Sequence, residues 1–153
     1  MVTKNLQHQL SLLIIRASMK AKYDLMDTAE RNNITTMQAL TLCLIDKDKP
    51  VPMKNISEFM SCDPSNITSL VEQLVSEGFV QRKEASYDRR VKTLSLTNKG
   101  QDLQNKLLDI TIKTRLPNIC NLSEAEVGKL VSVLEKATGM CVTNNLSLVA
   151  DPV

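Results

Sequence analysis

The stretch from Met53 to Leu96 constrains the fold most, because its apolar period changes partway along. Met53, Ile56, Phe59 and Met60 recur at helical spacing, and after a turn at Ser61-Cys62-Asp63-Pro64 a second stripe begins. That stripe is Ile67, Leu70, Val71, Leu74 and Val75, at intervals of three and four. Asp63 has the side chain of a helix N-cap, and Pro64 suits the first helical position, where a missing N–H costs nothing. Gly78 supplies the stop. Beyond it Phe79–Arg82 and Val91–Leu96 alternate or are β-branched, as strands are, with a polar loop from Lys83 to Arg90 between them. Two short helices joined by about four residues form a helix-turn-helix, and a hairpin placed directly after it is a wing.

The flanks read as helices. From Leu6 to Thr28 the residues Leu10, Leu13, Ile14, Ala17, Ala21 and Leu25 define one face of a long helix, which Asn32-Asn33 breaks. Thr35 with Gln38 makes a capping box, opening a short helix with Leu40, Cys43 and Leu44 inward that stops near Lys47–Pro50. Thr97 caps a helix through Leu103, Leu107 and Ile110, which Pro117 interrupts. A second capping box, Ser123 with Glu126, opens a last helix through Val127, Leu130, Val131 and Leu134 that ends at Gly139. The tail to Val153 has no clear period. The expected fold is therefore mainly α with a small β-hairpin wing. It divides into an N-terminal dimerisation helix (1–33), a winged helix-turn-helix (34–100), and C-terminal dimerisation helices with a tail (101–153). The flanking apolar faces need a partner surface, for which two-fold pairing into a homodimer is the commonest solution.

Composition removes other classes. No run of about 18 apolar residues is present, so no membrane span is expected. Asn5, Gln7, His8 and Gln9 spoil a signal-peptide core, and a cytoplasmic location is expected. Cys43, Cys62, Cys120 and Cys141 form no CxxC pair, and the chain has one His, so neither a metal site nor a cofactor is expected. There is no phosphate-cradling loop, Gly is scarce at four residues, and His8 has no nucleophile motif beside it. The chain is read as no enzyme.

A net charge of +2 matters less than where the charge sits. Arg82, Lys83, Arg89, Arg90, Lys92 and Lys99 gather around the hairpin against only Glu84 and Asp88. Paired arginines at a hairpin tip suit the negative potential of a narrow minor groove. On the second short helix, Ser65, Asn66, Thr68, Ser69 and Gln73 are small hydroxyl and amide side chains outside the apolar stripe. Such groups on a helix in a major groove reach base edges and phosphates. Together they predict a site for double-stranded DNA.

Asp63-Pro64-Ser65-Asn66-Ile67-Thr68, Leu70-Val71-Glu72-Gln73-Leu74, Gly78-Phe79-Val80, Arg82, Asp88-Arg89-Arg90 and Leu96-Thr97-Asn98-Lys99-Gly100 resemble the MarR family pattern, and Ile34-Thr35, Gln38 and Leu42 resemble its second helix. The resemblance covers roughly residues 34 to 103. It implies a dimeric transcriptional repressor on an inverted-repeat operator, with first and last helices at the dimer interface. It also implies an Asp-x-Arg wing motif at Asp88 and Arg90, the Asp bracing the Arg that enters the minor groove. The chain departs from the pattern at Ser69 and Gln73, where the family often carries basic residues. A small-molecule effector, lodged between the dimer helices and the DNA-binding lobe with Tyr23 as an aromatic contributor, is implied in the same way. Two alternatives stay open: a winged helix used only for protein contacts, and a regulator that senses oxidants through cysteine. Cys62, before the second short helix, is the residue to weigh for the latter. In family members that sense oxidants, the cysteine usually sits near the start of the first helix, where this chain has none.

Overall fold

The computed structural model describes residues 3–113, 121–139, 141–142 and 148–149. The chain runs α1 (Lys4–Arg31), α2 (Thr36–Leu44), β1 (Val51–Pro52), α3 (Met53–Met60), α4 (Pro64–Ser76), β2 (Val80–Glu84), β3 (Lys92–Leu96), α5 (Asn98–Lys113), α6 (Glu124–Thr138), β4 (Cys141–Val142) and β5 (Leu148–Val149). The mainly helical fold with a hairpin wing is as expected. Pro117 and Cys120 lie outside the described residues.

Both capping boxes form. The Thr35 hydroxyl accepts the Gln38 N–H, and the Gln38 carboxamide oxygen accepts the Thr35 N–H at 2.7 Å. Ser123 and Glu126 repeat the exchange, and the two Ser123 hydrogen bonds hold the Glu126 carboxyl below its ordinary pKa. At α4 the N-cap expectation needs correcting. Asp63 occupies the N-cap position, but its carboxylate makes no capping bond. Its main-chain carbonyl instead accepts the Asn66 and Ile67 N–H groups at 3.0 and 3.2 Å. Between α3 and α4, Ser61 takes left-handed backbone angles (φ 49°) and turns the chain.

The core lies where α2, α4, α5 and the root of the sheet meet. Leu42, Ile45, Ile56, Val71, Leu74, Leu94 and Leu107 are wholly enclosed there. Val75, read as part of the α4 stripe, is 40% exposed, because α4 buries only Ile67, Val71 and Leu74. A buried polar clamp joins α5 to α2. Gln104 Nε2 donates to the carbonyls of Leu42 and Ile45 at 2.7 Å each, satisfying groups that the helix end would otherwise leave without partners.

The sheet has the order β1-β3-β2, all antiparallel. The expected polar loop begins too early: Lys83 and Glu84 belong to β2, opposite Thr93 and Lys92. Strand β1, two residues long and half proline, carries no periodic signal. The tail contributes a short antiparallel pair, β4 with β5.

Helix α1 differs most from its expected stripe. It buries Asp24, Leu25, Thr28 and Ala29, all in its last third. Leu6, Leu10, Leu13, Ile14 and Met19 stay exposed, as do Leu130, Val131, Val133 and Leu134 of α6, a helix with no buried residue. No helix among the described residues is long and apolar enough to cross a membrane.

One close approach fixes the wing's root. Gly78 turns the chain at φ 76°, and Phe79 then passes under the first turn of α5. A Cβ at Gly100 would sit inside van der Waals contact of the Phe79 carbonyl oxygen. Gly100→Ala should therefore cost about 2–3 kcal/mol of folding stability, as overpacking against main chain does. A lowered urea midpoint with unchanged slope is the expected result.

Candidate nucleic-acid interface

Because α4 turns Ile67, Val71 and Leu74 inward, it leaves Ser65, Asn66, Ser69, Glu72 and Gln73 exposed and Thr68 half-buried. Two of the three hydroxyl protons are already committed. Thr68 donates to the Pro64 carbonyl at 2.8 Å and Ser69 to the Ser65 carbonyl at 3.4 Å. Their oxygens stay available as acceptors. Asn66 keeps both donor and acceptor functions on the outer surface. Gln73 is different: its carboxamide oxygen accepts a hydrogen bond from Gln38 Nε2 at 3.3 Å.

The wing leaves the body almost at once. Only Val80 of β2 is buried, and Gln81, Arg82, Lys83 and Glu84 are exposed. At the tip the Ala85 N–H donates to the Val91 carbonyl and the Val91 N–H to the Asp88 carbonyl. The Asp88 carboxylate accepts the main-chain N–H of Arg90 at 2.9 Å. The implied brace thus acts on the backbone of Arg90, shaping the turn that presents its guanidinium.

The predicted wing cations separate into three kinds. Arg82, Lys83, Arg89 and Arg90 are exposed and have no carboxylate within ion-pair distance among the described residues. Lys92 is bonded to Glu84 at 2.7 Å, which offsets its charge locally. Lys99 is not on the wing face. Its ammonium donates to the Glu77 carbonyl at 2.7 Å and lies 4.3 Å from the centre of the Phe79 ring, capping the end of α4.

The wing and the start of α4 face each other across a cleft of about 540 Å³, lined by Pro64, Thr68, Arg82, Arg90 and Lys92. Further residues on it escaped the sequence reading, among them Lys54 and Asn55 from the first turn of α3, and Tyr87, 74% exposed at the wing tip. The first two carry a signal, a cation and an amide at the start of the first short helix. Tyr87 lies inside the polar loop, where no period marks it. The cleft thus sets amide and hydroxyl groups on one side and guanidinium groups on the other, an arrangement suited to base edges and to phosphates respectively.

A second cavity, about 620 Å³ and almost wholly apolar, lies among α1, α2, α3 and α5, with Met19, Leu25, Met37, Leu40, Cys43 and Phe59 on its walls. Phe59, and not Tyr23, supplies the aromatic wall. Burial pushes the Cys43 thiol up to about 12. Cys62 is half-buried, its thiol donating to the Met60 carbonyl at 3.3 Å. Among the described residues, no three His, Cys, Asp or Glu side chains come together as metal ligands would.

Residues 34–92 match the model of the MarR family. The HTH-type transcriptional regulator SarZ of Staphylococcus epidermidis is 28% identical over 130 residues, 85% of this chain and 86% of its own length. The organic hydroperoxide resistance transcriptional regulator of Bacillus subtilis is 28% identical over 105 residues, 69% of this chain and 71% of its own. Among solved structures, a cysteine-to-serine mutant of E. coli MarR complexed with operator DNA superposes with a TM-score of 0.61. It is 24% identical, with 90% of this chain and 99% of that one aligned.

The raised Cys43 thiol has a direct chemical consequence, because the thiolate is the reactive form. In the native protein at pH 8, iodoacetamide should alkylate Cys43 at least roughly a hundredfold more slowly than a free cysteine whose pKa is about 8.5. Denaturation should remove the difference. Peptide mapping by mass spectrometry over a time course reads both rates.

Proposed function

We propose that this chain, whose residues 34–92 match the MarR family model, is a DNA-binding transcriptional regulator of that family that grips an inverted-repeat operator as a homodimer. The observation that carries this reading is the cleft itself, where Pro64 and Thr68 at the start of α4 face Arg82 and Arg90 of the wing, with Ser65, Asn66 and Ser69 exposed on the same helix and Arg89 exposed beside Arg90. The start of α4 enters the major groove, Asn66 reading a base edge and the hydroxyl oxygens of Ser65, Thr68 and Ser69 accepting from bases. Gln73 lies two turns farther along the same flank. Arg90, on the turn shaped by Asp88, enters the minor groove. Arg82, Lys83 and Arg89 neutralise backbone phosphates, and Lys92, held by Glu84, lines the wall between them.

The exposed apolar residues of α1 and α6 support the dimer. Residues 1–33 and 101–153 serve as its dimerisation segments around the DNA-binding unit 34–100. The apolar cavity behind α2 takes a small uncharged or weakly polar effector, at a size usual for ligand pockets. In this reading the protein is a repressor that such a ligand relieves, and it has no catalytic role. The protonated, half-buried Cys43 disfavours the redox alternative at that position.

Light scattering should return a particle of twice the 17.1 kDa chain mass at micromolar concentration. Leu13→Glu or Leu130→Glu should shift it towards the monomer, each placing a charge on an exposed apolar face.

Salt titrations separate the wing from the recognition helix. Each phosphate contact adds about 0.9 to the slope of log affinity against log salt. Arg90→Ala should therefore weaken operator and random duplex together and flatten that slope by about 0.9. Asn66→Ala should leave the slope unchanged and cost roughly 1–3 kcal/mol on operator alone, the worth of one base-edge contact. An Arg90→Ala protein with wild-type affinity and slope would remove the wing from the interface.

A further inference from the structure

A buried carboxamide sits where it can control the recognition helix without reaching DNA. Gln38 is 3% exposed in the first turn of α2. Its oxygen accepts the Thr35 N–H at 2.7 Å, closing the capping box. Its nitrogen donates to Gln73 Oε1 on α4 at 3.3 Å. One side chain therefore both starts α2 and holds α4, across 35 residues of sequence.

We propose that Gln38 is a positioning residue for DNA recognition, its bond to Gln73 setting the roll of α4 and hence the aim of Asn66. This rests on the reading of α4 as the recognition helix. Apolar packing through Ile67, Val71 and Leu74 holds α4 against the core but is non-directional. It tolerates a small rotation about the helix axis. A hydrogen bond to a fixed donor does not, because its strength falls steeply with angle. Asn66 lies seven residues before Gln73, and at about 3.6 residues per turn the two share one flank of the helix. Fixing Gln73 therefore fixes Asn66. The same geometry engages one lone pair of the Gln73 oxygen from behind and so fixes the direction in which its amide N–H groups point. The neighbours Thr36 and Met37 wall the apolar cavity, so the turn that carries Gln38 also borders that space.

The test measures affinity for a selected operator and for random duplex in a set of full-length variants. Gln38→Met and Gln73→Met should each weaken operator binding roughly fivefold, the net worth of one neutral hydrogen bond, while random duplex changes less than twofold. The double variant should be no weaker than either single one. Thr35→Val breaks the other half of the capping box and spares the link, so it should lower the unfolding midpoint and leave operator affinity within twofold. Gln38→Glu is the rescue. Glutamate is an ordinary capping-box residue at this position, and the Gln73 amide can rotate to donate to it. Its operator affinity should return to near wild type, which also guards against Gln38→Met failing to fold.

Three results would overturn the proposal. Gln38→Met could bind operator as wild type does. The two single losses could multiply in the double variant, making Gln73 an independent DNA contact. Gln38→Glu could fold yet be as weak as Gln38→Met. A wild-type protein that selects no duplex at all would instead remove the DNA-binding reading, a separate and distinguishable failure.

Discussion

The carbonyl oxygen of Phe79 is the point on which the wing, α4 and α5 all depend. It accepts the Thr97 N–H at 3.0 Å and lies against Gly100, where no side chain fits. The Thr97 hydroxyl donates to the Gly78 carbonyl at 2.7 Å and accepts the Gly100 N–H at 3.0 Å. Lys99 reaches back over the Phe79 ring to the Glu77 carbonyl. The end of α4, the start of β2 and the first turn of α5 are thereby one polar knot. Its energetic logic is satisfaction of main-chain groups at a helix end that the core covers, with Lys99 placed where a cation also favours the helix dipole. Gln104, further along α5, repeats the device on α2. Helix α5 is therefore tied at two places to the winged helix-turn-helix.

A nearly neutral protein carries a strongly polarised surface by this means. Charges that are paired or turned away, such as Lys92 with Glu84 and Lys99 under Glu77, do not add to the face across the cleft. Arg82 and Arg90 do, because they line it without a carboxylate within ion-pair distance among the described residues, and Lys83 and Arg89 add unpaired charge elsewhere on the exposed wing. Counting basic residues along the sequence overstates the wing, and net charge understates it. Position relative to the hairpin decides.

The sequence was most legible where a local rule acts alone. Thr35 with Gln38, Ser123 with Glu126, and the left-handed Gly78 and Gly139 each mark a helix end through contacts within four residues. The period change at Gly78 was legible too, and with it the winged architecture. Asp63 was misread because capping preference is statistical, and there the main-chain carbonyl does the work. Strand β1 was invisible: its two residues pair with Leu94 and Thr93, more than 40 positions away. Helix α1 showed an apolar stripe whose first two-thirds the described chain does not cover, since periodicity reports a face and not its partner. Gln73 looked like any solvated residue, because its hydrogen bond comes from Gln38 on another element. Local order was readable; pairings at long range were not.

The outer part of the wing has a different kind of consequence. Gln81, Arg82, Lys83 and Glu84 are exposed and are held mainly by their backbone ladder with β3, with one surface ion pair from Glu84 to Lys92. Most substitutions there leave the folded state nearly as stable, as surface changes generally do. Gly100, a few residues beyond β3, tolerates almost none. Descendants of this gene can therefore explore new charges at 81–84 while the hinge beneath stays frozen. Divergence in operator choice and salt tolerance is open to such a lineage without any loss of folding, and the wing is where related regulators should differ first.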